Sequence, residues 1–263
     1  MMLRMGSLLA MLVSLLTACA TLPAGDGEVE RPLSDRTPAT ELERRARSHV
    51  ELGLAYFDLG RIDVALDEAR SALNELPNYA PAHHLIGLAY MIIGETAPAR
   101  DNFERALRVA PGDPDFNNSY GWFQCTQGSE EEGLARLARA ARNPYYRHQT
   151  RAYTNMGFCH LRTHDVAAAE KDFARALEVD PQNGSALFQS AELSYRRGQY
   201  EAAGAMLARL HQVMDPNAPS VWLGLRAARR AGQRDAEASY AAQLRSRFAD
   251  APEYQLMMQG KYE

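Results

Sequence analysis

β-Branched residues never form a sustained alternating run in this 263-residue chain, so the sequence offers nothing that reads as a half-buried strand. Apolar runs are scarce as well. The longest, Met5 to Leu16, spans about 12 residues and falls short of the roughly 20 needed to cross a bilayer as a helix. No basic stripe with interleaved aromatics occurs, and the formal charge is −4, which argues against a nucleic-acid partner. There is no Gly-x-Ser-x-Gly elbow, phosphate loop or His-Glu-x-x-His motif. His83 and His84 are adjacent and point to different sides of a helix; His49, His148, His160, His164 and His211 lack metal-ligand spacing. The run Glu130-Glu131-Glu132 sits where a helix would start, and there it favours the helix dipole rather than acid–base chemistry. These absences predict no enzyme, no catalytic or metal residue, no cofactor and no small-molecule substrate. What remains is a chain rich in Ala, Leu, Arg and Glu, the composition of helices.

The N-terminus reads as an address. Met1 to Arg4 supplies a charged start, Met5 to Leu16 has the length of a secretory apolar core, and Leu16-Thr17-Ala18-Cys19 looks like a bacterial lipobox. On that reading residues 1–18 are removed and Cys19 is acylated. Two or three acyl chains then hold the protein on a bilayer durably. Ala20 is not the Asp that signals inner-membrane retention, so by resemblance to sorted lipoproteins the expected location is the periplasmic face of the outer membrane. Residues 19–40 carry Pro23, Pro32 and Pro38 with mixed charge and no apolar periodicity, the composition of a flexible tether.

Everything after residue 40 is organised by internal repetition. Gly53, Gly87 and Gly121 recur at intervals of 34, as do Gly60, Gly94 and Gly128, and again Gly198 and Gly232. His164 stands where a glycine of this second series would fall, after a two-residue insertion near Tyr146 to Gln149. Ala65, Ala99, Ala169 and Ala203 recur in phase, then Ala72, Ala106, Ala140 and Ala176. Pro77, Pro111, Pro144, Pro181, Pro216 and Pro252 punctuate the repeat ends. This period, with Gly-x2-Tyr and later Ala and Pro, resembles the tetratricopeptide (TPR) repeat. It predicts an all-α, right-handed superhelical solenoid of about six helix-turn-helix units: 46–79, 80–113, 114–147, 150–183, 184–217 and 219–252. Residues 41–254 form the body and 255–263 a C-terminal tail.

In TPR arrays the first helix of each repeat lines the concave wall. Carried onto this phase, that wall comprises Val50, Leu54 and Phe57; His84, Leu88, Met91 and Ile92; Asn118 and Trp122; Phe158 and Leu161; Phe188 and Tyr195. The first two repeats thus present a nearly all-apolar inner face, and such a surface suits an amphipathic helix or an extended segment of a partner. The N-terminal segment could instead fold back over it. A chaperone-tail carboxylate clamp is not expected, because Val50, Leu54 and Leu88 stand where its basic residues would be.

Beyond Cys19 there are two cysteines, Cys125 and Cys159, at corresponding places in adjacent repeats. In an oxidising compartment they read as a disulfide, with a pair of buried thiols as the alternative.

The stretches Asn117-Asn118-Ser119-Tyr120-Gly121-Trp122-Phe123-Gln124-Cys125, Asn155-Met156-Gly157-Phe158-Cys159 and Ser220-Val221-Trp222-Leu223-Gly224-Leu225-Arg226 resemble the type IV pilus biogenesis and stability lipoproteins, the PilF/PilW family. Ser119, between the asparagine pair and Tyr120, departs from the family pattern. The resemblance implies a pilotin: a lipid-anchored scaffold that assists localisation, multimerisation or stability of the outer-membrane pilus secretin. Val50, Leu54, Phe57, Leu88 and Met91 would touch that partner. A periplasmic TPR adaptor for a protease or cell-wall hydrolase is the competing reading.

Overall fold

The computed structural model describes residues 29–262; the expected signal segment and Cys19 lie outside the described residues. Among the described residues the chain is helical and contains no strand. Six antiparallel pairs follow one another: α1 (Glu41–Asp58) with α2 (Ile62–Glu75), α3 (Ala80–Ile92) with α4 (Thr96–Val109), and α5 (Pro114–Thr126) with α6 (Glu130–Arg142). Then come α7 (Gln149–Arg162) with α8 (Val166–Val179), α9 (Gly184–Arg196) with α10 (Tyr200–Val213), and α11 (Ala218–Arg230) with α12 (Arg234–Arg247). A short α13 (Pro252–Met258) closes the array. Each helix packs on its neighbours in sequence, and the first helices of successive repeats also touch (α1 with α3, α3 with α5, α5 with α7). The result is the TPR solenoid that the 34-residue period predicts.

Local chemistry explains the cadence. The turn inside each pair needs one residue in the left-handed region, and Gly60, Gly94, Gly128, Gly198 and Gly232 take it at φ +71 to +82°. His164 fills the same place between α7 and α8 at φ +60°, the substitution that the spacing had exposed. Proline lies two residues beyond the ends of α2, α4, α6 and α8, where it cannot continue the helix. Pairs close on alanine: Ala65, Ala99, Ala169 and Ala203 are fully buried, as are Ala72, Ala106, Ala140 and Ala176. Large apolar side chains fill the spaces between, with Phe103, Phe123 and Phe173 among the most buried. Tyr90 packs against the cores of both the first and the second repeat, the gap-filling place expected of it.

Several boundaries differ from the periodicity. The first repeat has no separate leading helix: α1 runs unbroken from Glu41, with Thr40 accepting the Glu43 N–H as N-cap. The sixth repeat opens at Ala218, where Asn217 and Ser220 form a reciprocal capping box. The tail expected from 255 onward is instead packed: Met257 and Tyr262 join a cluster with Trp222, and Tyr262 stacks on Trp222 at 5.5 Å. An otherwise bare end of the solenoid is covered in this way. Residues 29–40 also depart from the expected tether, because they lie against the body; the contacts that hold them are described with the groove.

Candidate docking groove

Cys125 near the end of α5 and Cys159 near the end of α7 are joined as a disulfide, with Cα atoms 5.6 Å apart. Both are fully buried, under Trp122, Leu134 and Met156. Arg162 reinforces the junction by donating to the Cys125 carbonyl at 2.7 Å. The third repeat is thereby tied covalently to the fourth.

On the concave side of the first three repeats lies a groove of about 400 Å³. Val50, Leu54 and Phe57 of α1, His84 and Leu88 of α3, and Phe116 of α5 line it. Val50 is 6% exposed and belongs equally to the first core, so it forms the floor. Leu54 stands on the rim at 37% exposure. Met91 is half-buried in the core beneath and does not line the groove, while Ile92, at 58% exposure, lies at the far end of α3 outside it. Trp122 and Phe158 do not reach the groove either. Their rings sit 6.1 Å apart over the disulfide region, and Phe158 borders a separate, more polar hollow of about 550 Å³ between the fourth and fifth repeats. Asn118 is buried and accepts from Asn155, whereas Leu161 packs on the Phe173 core. Phe188 and Tyr195 belong to the fifth-repeat cluster, far along the array.

The other groove wall comes from the N-terminal segment, which the sequence assigned to a tether. Pro32 is buried and Leu33 packs against the cluster of Phe103 and Phe116. The Leu33 N–H donates to Asp113 Oδ2 at 2.8 Å, Gly112 N–H donates to Glu30 Oε1, and Asn143 donates to the Glu30 carbonyl. Arg31 lies over the Tyr145 ring, and Arg47 of α1 donates to the Arg36 carbonyl at 2.7 Å. Residues 30–36 thus form a strap along one rim, running past the start of α5 and the end of α6 and back to α1. Low apolar content hid this segment from periodicity. Its signal was the Pro32-Leu33 pair, one apolar anchor beside one rigid residue.

Charge in the groove is controlled by burial. Asp113 is 1% exposed, and removal from water pushes its carboxyl up to about 6, despite the N–H groups of Leu33, Asp115 and Phe116 that stabilise its charge. His84 is driven the other way, down to about 3, by burial first and by the Arg151 charge second. It therefore stays neutral, lying 4.8 Å from the Phe116 ring, and its Nε2 is buried without a hydrogen-bond partner. Such an arrangement can hold an apolar segment; it has no nucleophile and base in contact. Among the described residues no three His, Cys, Asp or Glu side chains converge as metal ligands. Among them, too, no helix is long and apolar enough to cross a membrane.

Tetratricopeptide-repeat models match residues 80–113 and 160–219. Type IV pilus assembly protein PilF of Pseudomonas aeruginosa is 29% identical over 240 residues, covering 91% of this chain and 92% of that protein. A solved structure from the functional characterisation of Pseudomonas aeruginosa PilF superposes with a TM-score of 0.76 at 27% identity, over 84% of this chain and all of that one. The structure of PilW, a widely conserved type IV pilus biogenesis factor, matches at 0.73 and 24% identity over the same share of the chain, a likeness of fold. Repeat models that match within the body, and a likeness that runs its length, make this chain a tetratricopeptide-repeat homologue of the type IV pilus assembly protein PilF.

Proposed function

We propose that this protein is a lipid-anchored scaffold of the pilotin kind, working in type IV pilus biogenesis from the periplasmic face of the outer membrane. Its client would be a segment of the pilus secretin. The observation that carries the reading is the apolar groove between α1, α3 and α5, open at Leu54 and walled by the strap. The lipobox at Cys19 supports the anchor, and the likeness to PilF supports the pathway. Affinity and a membrane address suffice for such work: a subunit held in the groove travels wherever the acylated cysteine is sorted. An apolar concave site also favours a segment that would otherwise expose hydrophobic surface, which describes an unassembled subunit.

Gene deletion should abolish heat-resistant secretin multimers on gels and with them twitching; normal multimers and normal pili would reject the proposal. At the residue level, Leu54→Asp puts a charge on the rim without touching the helix-pair core. Secretin capture should fall by at least about tenfold while circular dichroism stays helical. Intact capture would remove the groove from consideration, and capture of a protease or hydrolase, with multimers unaffected, would favour the adaptor reading.

A further inference from the structure

The two halves of the array differ in charge. The first four repeats, residues 41–183, carry sixteen Lys and Arg against twenty-one Asp and Glu, whereas residues 184–262 carry ten against seven. The excess in the second half has a focus. Arg226 of α11 lies over the Tyr195 ring at 4.8 Å and the Trp222 ring at 5.6 Å, and four residues on, Arg230 lies over the Tyr200 ring at 4.9 Å. The two tyrosine rings are 5.4 Å apart. Neighbouring arginines are neutralised: Arg229 by Glu237, Arg196 by Glu192 and Arg197 by Glu170. Among the described residues neither Arg226 nor Arg230 has a carboxylate partner, and the Arg226 Nε is buried without an acceptor.

We propose that Arg226 and Arg230 form a carboxylate-binding site for an extended acidic segment of a protein partner, separate from the apolar groove. Three features carry the assignment. Aromatic rings lie against both guanidinium groups, and among the described residues no carboxylate occupies their N–H donors, which can receive a carboxylate in pairs. Tyr195 and Trp222 hold the Arg226 guanidinium, and its Nε is closed off from solvent, so a carboxylate meets it through the terminal Nη groups. The spacing is selective as well. Residues four apart on a helix rise by about 6 Å, close to the 6.6–6.8 Å between alternate residues of an extended strand. Carboxylates at alternate positions of a strand therefore meet both arginines, and each arginine offers one charge to one monoanion.

Calorimetric titration of the purified full-length protein in detergent tests this, using a short peptide with aspartate at alternate positions among threonine and valine. The peptide should bind with an affinity that falls steeply with salt, and its asparagine counterpart should not bind. Arg226→Gln and Arg226→Lys should each weaken binding at least about tenfold, because lysine neither stacks as a plane nor donates in pairs. Arg230→Gln, at an exposed position, should weaken it several-fold, while Leu54→Asp should leave it unchanged, which separates this site from the groove. Failure of the aspartate peptide to bind, equal binding of the asparagine peptide, or full affinity in both Arg226→Lys and Arg230→Gln would overturn the proposal. Inorganic phosphate or anionic vesicles that displace the peptide at lower concentration than the peptide itself binds would overturn it in favour of a phosphate or lipid ligand.

Discussion

His84 shows how little a residue's type says about its state. The repeat phase put it on the inner wall, yet burial against Phe116 and Phe103, with the Arg151 charge second, decides that it is neutral. Because burial lowers its folded pKa to about 3, the unfolded chain binds a proton there more readily. Its stabilising contribution is present above about pH 6.5 and is lost as pH falls toward 3. Asp113 acts in the opposite sense: its pKa is raised to about 6, so its contribution is present below the ordinary carboxylate range and is lost as pH rises through 6. The two partly cancel in the wild type, so the variant comparison is the informative one. His84→Leu should make the urea midpoint less sensitive to acid between pH 7 and 5. The difference between the two proteins should shift by an amount of order 1–2 kcal/mol. Parallel pH profiles would mean that the imidazole is hydrated in the fold.

At the scale of elements, the third repeat is closed by Gly133, a glycine outside the series that defined the period. Gly121 of α5 faces Gly133 of α6 so closely that a Cβ on Gly133 would meet the Gly121 carbonyl at 2.7 Å and Cys125 Sγ at 2.6 Å. In the second and fourth repeats the same crossing is filled by an aromatic, Phe103 against Gly87 and Phe173 against Gly157. The third repeat substitutes backbone-to-backbone approach, next to the disulfide. Gly133→Ala should therefore destabilise by about 1–3 kcal/mol, whereas Gly204→Ala on α10, where a Cβ meets nothing within 4 Å, should stabilise by up to about 1 kcal/mol. Thermal melting of the two variants checks this, and similar shifts in both would refute the close crossing. The Cys125–Cys159 bond closes a 34-residue interval, so on the chain-entropy account it restricts the unfolded ensemble by about 4 kcal/mol.

At the scale of the molecule, the strap decides where the chain preceding the repeats meets the body. A free tether would let the concave face point anywhere; residues 30–36 instead fix the exit beside the groove. Leu33→Asp should expel the strap, because its side chain would enter the Phe103–Phe116 cluster as an unpaired charge. Tryptic cleavage after Arg36, followed by mass spectrometry, should become several-fold faster while the helices stay protected. Unchanged cleavage would show that the strap does not depend on that anchor.

The sequence by itself determined the repeat: period, turn residues, helix-ending prolines and buried alanines are local requirements that recur each time the unit is built, so they show as spacing. It also marked Cys125 and Cys159 as partners, since equal phase in adjacent repeats puts them on neighbouring helices. Only the tertiary structure decided which inner-wall residues share one groove, dropping Met91, Ile92, Trp122 and Phe158 and adding Leu33 and Phe116. The same holds for the strap, the Gly121–Gly133 crossing and Arg226, which has no carboxylate partner among the described residues. Each joins side chains far apart in the chain or depends on what is missing beside them, and neither distance in space nor a vacant partner leaves a period in the sequence.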